Sequence, residues 1–286
     1  MYHRRIFACS LWLLLTSTAA PAQALPPLPA DELLVVGVGG NSECFHGGGI
    51  WGLYKGKKGK DEILLRSFAD ALGLESQKIR IEYFSWTGDE AAKHDHCIPG
   101  HWDWVTGGSA RIRKSLGDAL TDKPNKRLVI VGWSNGGATA YELACTLSKA
   151  NPMHVSLLVT LDAAAWTTNP CKSDSDPAVP IRPAKVWIGV YTRSQSFWGS
   201  LTWSNIIARM GRAWDDQFPK TSTERADALI KLEPASHGDA ECMWRMCVLN
   251  NARFKAWGRN TTPKLALSPK EDPDYKVCKK NAVCTP

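Results

Sequence analysis

KRLVIVGWSNGGATAY, Lys126–Tyr141, is the stretch whose reading decides the fold. Leu128–Val131 is a short, uninterrupted apolar run, β-branched at three of its four positions, as expected for a parallel strand buried on both faces. It meets Gly132-Trp133-Ser134-Asn135-Gly136, and Gly137-Ala138-Thr139-Ala140 then opens a helical pattern. G-x-S-x-G between a strand and a helix is a nucleophile elbow: the central serine takes a strained backbone conformation, so its flanks must lack bulk. Gly132 and Gly136 supply that room, and Gly137, Ala138 and Ala140 let the helix lie close on the sheet. Ser134 would then stand at the carboxyl end of the strand, beside a helix N-terminus whose N–H groups favour negative charge.

Working outward, the chain reads as strands alternating with helices. Leu33–Val36 is a first strand, leading into the turn Gly37-Val38-Gly39-Gly40-Asn41. Asp61–Leu74 is helical, with Leu64, Phe68 and Leu72 recurring every four residues. Ile79–Trp86 alternates like a strand, and Val105–Leu120 is a helix with Ile112, Leu116 and Leu120 on one face. Beyond the elbow, Val155–Leu161 and Val186–Tyr191 are buried strands and Leu229–Leu232 is a last short one. This order predicts an α/β domain, a doubly wound, mostly parallel sheet with helices on both faces. The 286 residues, 44% hydrophobic and 22% charged, suit one such domain. Ser194–Phe218, with Trp198, Trp203 and Trp214, is a candidate cap or lid, although packing of amphipathic helices explains the tryptophans nearly as well.

The chain's beginning reads as a leader. Arg4 and Arg5 precede an apolar stretch, Ile6–Leu15, and Ala22-Gln23-Ala24 makes an A-x-A cleavage site. Residues 1–24 are therefore expected to be a secretory signal peptide, with residues 25–286 forming the exported domain; an uncleaved anchor is the alternative. Eight cysteines remain after cleavage: Cys44, Cys97, Cys145, Cys171, Cys242, Cys247, Cys278 and Cys284. An even count in an exported chain points to a disulfide-stabilised fold in a secreted or periplasmic protein, with the connectivity open. The tail 264–286, rich in Pro, Lys and Asp, is expected to be pinned to the surface by one of these bonds. Removing Arg4 and Arg5 takes the net charge from +7 to about +5, much of it in Lys55-Gly-Lys57-Lys58-Gly-Lys60. Such a run is a solvated loop or a site of attraction to an anionic envelope surface. Nothing resembles a nucleic-acid-binding module.

A serine nucleophile needs a base, an acid and oxyanion donors. In this kind of sheet the base follows the nucleophile and the acid in chain order. His237, in Pro234-Ala-Ser-His-Gly-Asp239, is the only histidine beyond the last two core strands, whereas His154 precedes the strand ending in Asp162. Asp162 is the favoured acid because it ends a buried strand at the same sheet edge as Ser134. Asp174, Asp176, Asp215 and Asp216 are the alternatives, and the end of Val186–Tyr191 offers only Thr192-Arg193-Ser194. The expected oxyanion donors are the backbone N–H groups of Asn135 and of Val38, two residues past the first strand. His46-Gly47-Gly48-Gly49 is a rival donor turn, ranked second because no buried strand precedes it. His94, His96, His101 and Cys97 have residue types suited to zinc, but the spacing matches no established metal motif, and a polar loop is the default reading.

Gly132-Trp-Ser134-Asn-Gly-Gly, the Gly-rich turn after the first strand, the strand-ending Asp162 and the strand-following His237 together resemble the α/β-hydrolase superfamily. The acid, placed after the first strand beyond the elbow strand, resembles the lipase and cutinase branch. The resemblance covers Leu33 to about Trp257. It implies serine-hydrolase activity on an ester, thioester or similar small-molecule or lipid acyl bond, with no cofactor and no metal. The sequence departs from the family in having Gly37 where histidine is frequent and in the basic, Gly-rich insertion Cys44–Lys60. An acyltransferase or amidase would use the same triad. A catalytically inactive fold kept as an envelope- or carbohydrate-binding module is the reading from a different class, with the 13 tryptophans available for sugar stacking.

Overall fold

A computed structural model of the chain describes residues 32–40, 53, 63–86, 108–117, 128–150, 155–165, 171–176, 179–192, 212–213, 226–235, 237–258, 278 and 281–286. The expected leader, the Lys55–Lys60 run, Cys44, Cys97, the His94–His101 cluster and the His46 turn lie outside these residues, apart from an isolated buried Leu53.

The centre is a seven-stranded sheet of β1 (Leu33–Gly39), β2 (Ile79–Ser85), β3 (Leu128–Trp133), β4 (Val155–Leu161), β6 (Val186–Tyr191), β8 (Ala228–Glu233) and β9 (Val283–Thr285). Their spatial order is β2-β1-β3-β4-β6-β8-β9, and all neighbours are parallel except β8 and β9. From β1 the chain moves to β2 on one side, then crosses to β3 on the other. Strand order therefore reverses between β1 and β3, and the crevice outside their carboxyl ends is where open α/β sheets place a ligand. A separate two-stranded pair joins β5 (Ala164–Ala165) to β7 (Arg212–Ala213). Arg212–Ala213 is the only described part of the stretch read as a lid.

Alternation along the strands splits the core into two layers. Leu33, Val35, Val129, Val131, Leu157, Val159, Ile188 and Val190 face one side. There they pack with α1 (Ile63–Leu72), with α4 (Ala240–Cys242) and its continuation as a π-turn over Met243–Val248, and with α5 (Ala252–Trp257). Leu34, Val36, Leu128, Ile130, Val155 and Leu158 face the other, against α2 (Gly108–Leu116) and α3 (Asn135–Ala150). Every residue of β1, β3 and β4 is buried, which is why these strands read as unbroken apolar runs. A fully buried Leu, Ile or Val contributes about 1.5–3 kcal/mol, so the central strands are the most strongly specified part of the chain.

Among the described residues, three disulfides join Cys145 to Cys171, Cys242 to Cys278 and Cys247 to Cys284. They place the folded chain in an oxidising compartment. No helix among the described residues is long and apolar enough to cross a membrane. The C-terminal tail is pinned more firmly than one bond would do: β9 pairs antiparallel with β8, Leu232 opposite Cys284, while Cys278 and Cys284 hold α4 and its π-turn. The segment carrying His237 lies between β8 and α4, so the tail grips the chain on both sides of it. The two tail disulfides close loops of 36 and 37 residues, each worth about 3–4 kcal/mol by loop-closure entropy. Replacing either pair by serine is expected to lower the melting temperature by about 10 °C in a thermal scan. A melting temperature equal to that of the unmodified protein would show that the tail is not holding the fold.

Candidate active site

Ser134 lies in the turn between β3 and α3 with φ at 57°, left-handed and unusual for a residue with a side chain. That conformation costs roughly 1–2 kcal/mol. Hydrogen bonds on both sides fix it: its N–H donates to the Leu161 carbonyl at 3.0 Å, and its carbonyl accepts from Gly137 at 2.9 Å and Ala164 at 3.1 Å. The elbow also needs its glycines for space. A β-carbon on Gly132 would lie 2.4 Å from the Gly136 carbonyl oxygen, and one on Gly136 would lie 2.3 Å from the Val38 oxygen. These obstacles are main chain and cannot swing aside.

One strand over, Asp162 repeats the device. It follows the last residue of β4 with φ at 43°, and its N–H donates to the Val190 carbonyl at 2.6 Å. Its carboxylate therefore stands at the same sheet edge as the Ser134 hydroxyl. His237 reaches both from the loop after β8: Nδ1 is 2.7 Å from Asp162 Oδ2, and Nε2 is 2.8 Å from Ser134 Oγ. A carboxylate only accepts, so Nδ1 carries the proton and Nε2 accepts from the serine hydroxyl. Ser134 and His237 are 2% and 4% exposed, so the pair is withdrawn from bulk water. A hydroxyl bonded to an imidazole that a carboxylate orients can lose its proton as it attacks an electrophilic carbonyl.

The structure thus brings Ser134, His237 and Asp162 together from three different strand ends. Of the alternative acids, Asp174 is at the surface, 82% exposed, beside Lys149 Nζ at 2.6 Å. Asp215, Asp216 and His154 lie outside the described residues. Asn135 opens α3, so its N–H is one of the first-turn N–H groups that a helix leaves without an internal partner.

Val38 stands on a strand that is longer than expected. It was expected two residues past a strand ending at Val36, but β1 runs on to Gly39 and Val38 is a ladder residue between Phe84 and Gly132. Pairing with a strand on each side carries β1 through glycines that would end an isolated strand. The turn therefore begins later. Gly40 is the residue brought against Ser134: a β-carbon there would lie 2.7 Å from Ser134 Cβ.

Thr192 was passed over in the sequence because it stands where an acid was sought and not found. Its N–H donates to Asp162 Oδ1 at 2.8 Å and its hydroxyl to Oδ2 at 2.6 Å. It follows β6, the strand whose Val190 holds the Asp162 main chain. A hydrogen-bonding residue one strand beyond the acid was the available signal. No protein-family model matches the chain, and no curated protein matches it.

Thr192→Val is expected to slow the reaction of Ser134 with an electrophilic probe by about tenfold, the effect of one hydrogen bond to a charged group, while Thr192→Ser stays near the parent rate. Equal rates for Val and Ser would remove Thr192 from the site.

Proposed function

We propose that the chain is an exported serine hydrolase of the α/β-hydrolase type, lipase- or cutinase-like in the position of its acid, that cleaves a carboxylic ester through an acyl-enzyme. The observation that carries this reading is the imidazole of His237 set between Ser134 Oγ and Asp162 Oδ2 at 2.8 and 2.7 Å. The position of the site supports it further, at the carboxyl ends of parallel strands beside the point where strand order reverses. His237 takes the proton of Ser134 as the oxygen attacks the acyl carbonyl, then returns it to the departing alcohol. Asp162 keeps the proton on Nδ1 and stabilises the imidazolium, itself held by Thr192. The N–H of Asn135 and a second main-chain N–H at the end of β1, where Val38 was expected to donate, receive the oxyanion, each worth about 3 kcal/mol at the transition state. Water, with His237 now as base, then releases the acid.

The reading as a sugar-binding module draws less support. Among the described tryptophans, Trp133, Trp187 and Trp244 are buried and Trp86 and Trp257 half-buried, so none of them stands exposed as a stacking platform. The disulfides suit a secreted or periplasmic enzyme.

The test is covalent labelling by a fluorophosphonate together with turnover of p-nitrophenyl esters of increasing acyl length. Labelling and turnover are expected in the parent protein, and Ser134→Ala is expected to abolish labelling and lower kcat by about 10⁶-fold. Labelling that survives in Ser134→Ala, or a parent protein inert to both reagents, would end the proposal. Acyl transfer to an added alcohol or amine in preference to water would reassign the enzyme as a transferase with the same triad.

A further inference from the structure

Trp133 is the residue before Ser134 and the last of β3. Its side chain is 5% exposed and makes two contacts with the same partner. The indole Nε1–H donates to the main-chain carbonyl of His237 at 2.8 Å. The indole ring also stacks on the imidazole, with centroids 5.0 Å apart and planes 29° from parallel. On the side of Gly40 the indole is equally confined, since a β-carbon there would lie 2.6 Å from Trp133 Cε3.

The two contacts restrain different freedoms. The hydrogen bond fixes where the backbone of residue 237 stands, and the stack fixes the plane of the ring, leaving its nitrogen edge directed at Asp162 and Ser134. The loop needs such a restraint. β8 ends at Glu233 and α4 begins at Ala240, so His237 is carried in the connection between them. Trp133, by contrast, belongs to a central strand, in register with Leu161 on β4.

We infer that Trp133 is the positioning residue for the base: it ties the His237 loop to the strand that carries the nucleophile, so that base and nucleophile are set by adjacent residues of one element. This inference rests on the roles of Ser134 and His237 proposed above. A purely structural role would make Trp133 one more core tryptophan. Trp187 supplies the comparison, because it too is buried, with its Nε1–H donating to Thr160 Oγ1 at 3.1 Å and its ring against Tyr141.

The experiment compares Trp133→Phe, which keeps an aromatic ring but loses the N–H donor, with Trp133→Leu, which loses both contacts, and with Trp187→Phe. Three quantities are read: kcat and KM on a p-nitrophenyl ester, the melting temperature, and the downfield Nδ1–H proton resonance of His237. Trp133→Phe is expected to lower kcat about tenfold and Trp133→Leu about a hundredfold, with KM within about twofold of the parent. The Nδ1–H resonance is expected to broaden in both. Trp187→Phe is expected to lose a similar amount of thermal stability while keeping kcat and the resonance. Parent-like kcat and resonance in Trp133→Phe would overturn the inference. So would an equal loss of kcat in Trp187→Phe at a matched melting temperature. Should the parent protein turn over no ester, the hydrolase reading fails on that result alone, and the resonance still decides whether Trp133 holds His237.

Discussion

The close approach of α3 to the ends of β1 and β3 is the constraint on which the rest of the site depends. The carbonyl oxygen of Gly136 and the carbonyl oxygen of Val38 occupy the places where β-carbons on residues 132 and 136 would go. With the helix pressed in this far, the chain has room for one turn residue, and Ser134 is left in the left-handed region with its hydroxyl 2.8 Å from His237 Nε2. The strain is local and is offset by three main-chain hydrogen bonds to Leu161, Gly137 and Ala164. Two of those partners flank Asp162. The same bonds that hold Ser134 therefore register the strand that ends at Asp162, and the two side chains cannot drift apart without breaking the elbow.

Much of this was legible because the elbow is governed by short-range rules. A buried apolar run, a G-x-S-x-G junction and a run of small residues after it leave few other structures, and β4 and β6 fall at the residues the apolar pattern marks. Asp162 and His237 could be named from chain order because parallel strands deliver their carboxyl ends to one edge. The errors arose where pairing partners, which a single sequence does not display, overrode local preference. Gly37-Val38-Gly39 reads as a turn by composition, yet hydrogen bonding to β2 and β3 keeps it extended through Gly39. Thr192 was passed over because a search for charge misses a residue whose task is to donate hydrogen bonds to a charge.

The cysteine pairing illustrates a different kind of illegibility. The eight thiols expected to remain once the leader is removed allow 105 pairings, and nothing in their spacing selects among them. What selects is the tertiary position of β9, which lies beside β8 only because the last residues of the chain return to the sheet as an antiparallel edge strand. Once Cys284 stands opposite Leu232, Cys247 on the π-turn is within reach, and Cys278 meets Cys242 one turn earlier. The aromatic packing of this layer works in the same direction. Trp244 meets Phe68 edge-on at 5.6 Å and donates to Ser67 Oγ at 3.0 Å, anchoring the helix after His237 onto α1.

His237 and Ser134 are 103 residues apart in sequence, and His237 and Asp162 are 75 apart. Bringing such distant groups within hydrogen-bonding range costs loop-closure entropy and side-chain entropy that the two hydrogen bonds joining them, each worth about 1 kcal/mol net, could not offset alone. The site can be ordered only because the sheet has already aligned the three strand ends for other reasons, chiefly burial of both its faces. What remains to be fixed is the one group that the sheet does not carry directly, the loop bearing His237. The structure meets that need from three directions. β9 and two disulfides restrain the chain on either side of the loop, and an indole on the elbow strand holds its carbonyl and its ring. The order of this loop and the orientation of the imidazole are therefore coupled, because the indole that holds the loop's main chain also stacks on the ring.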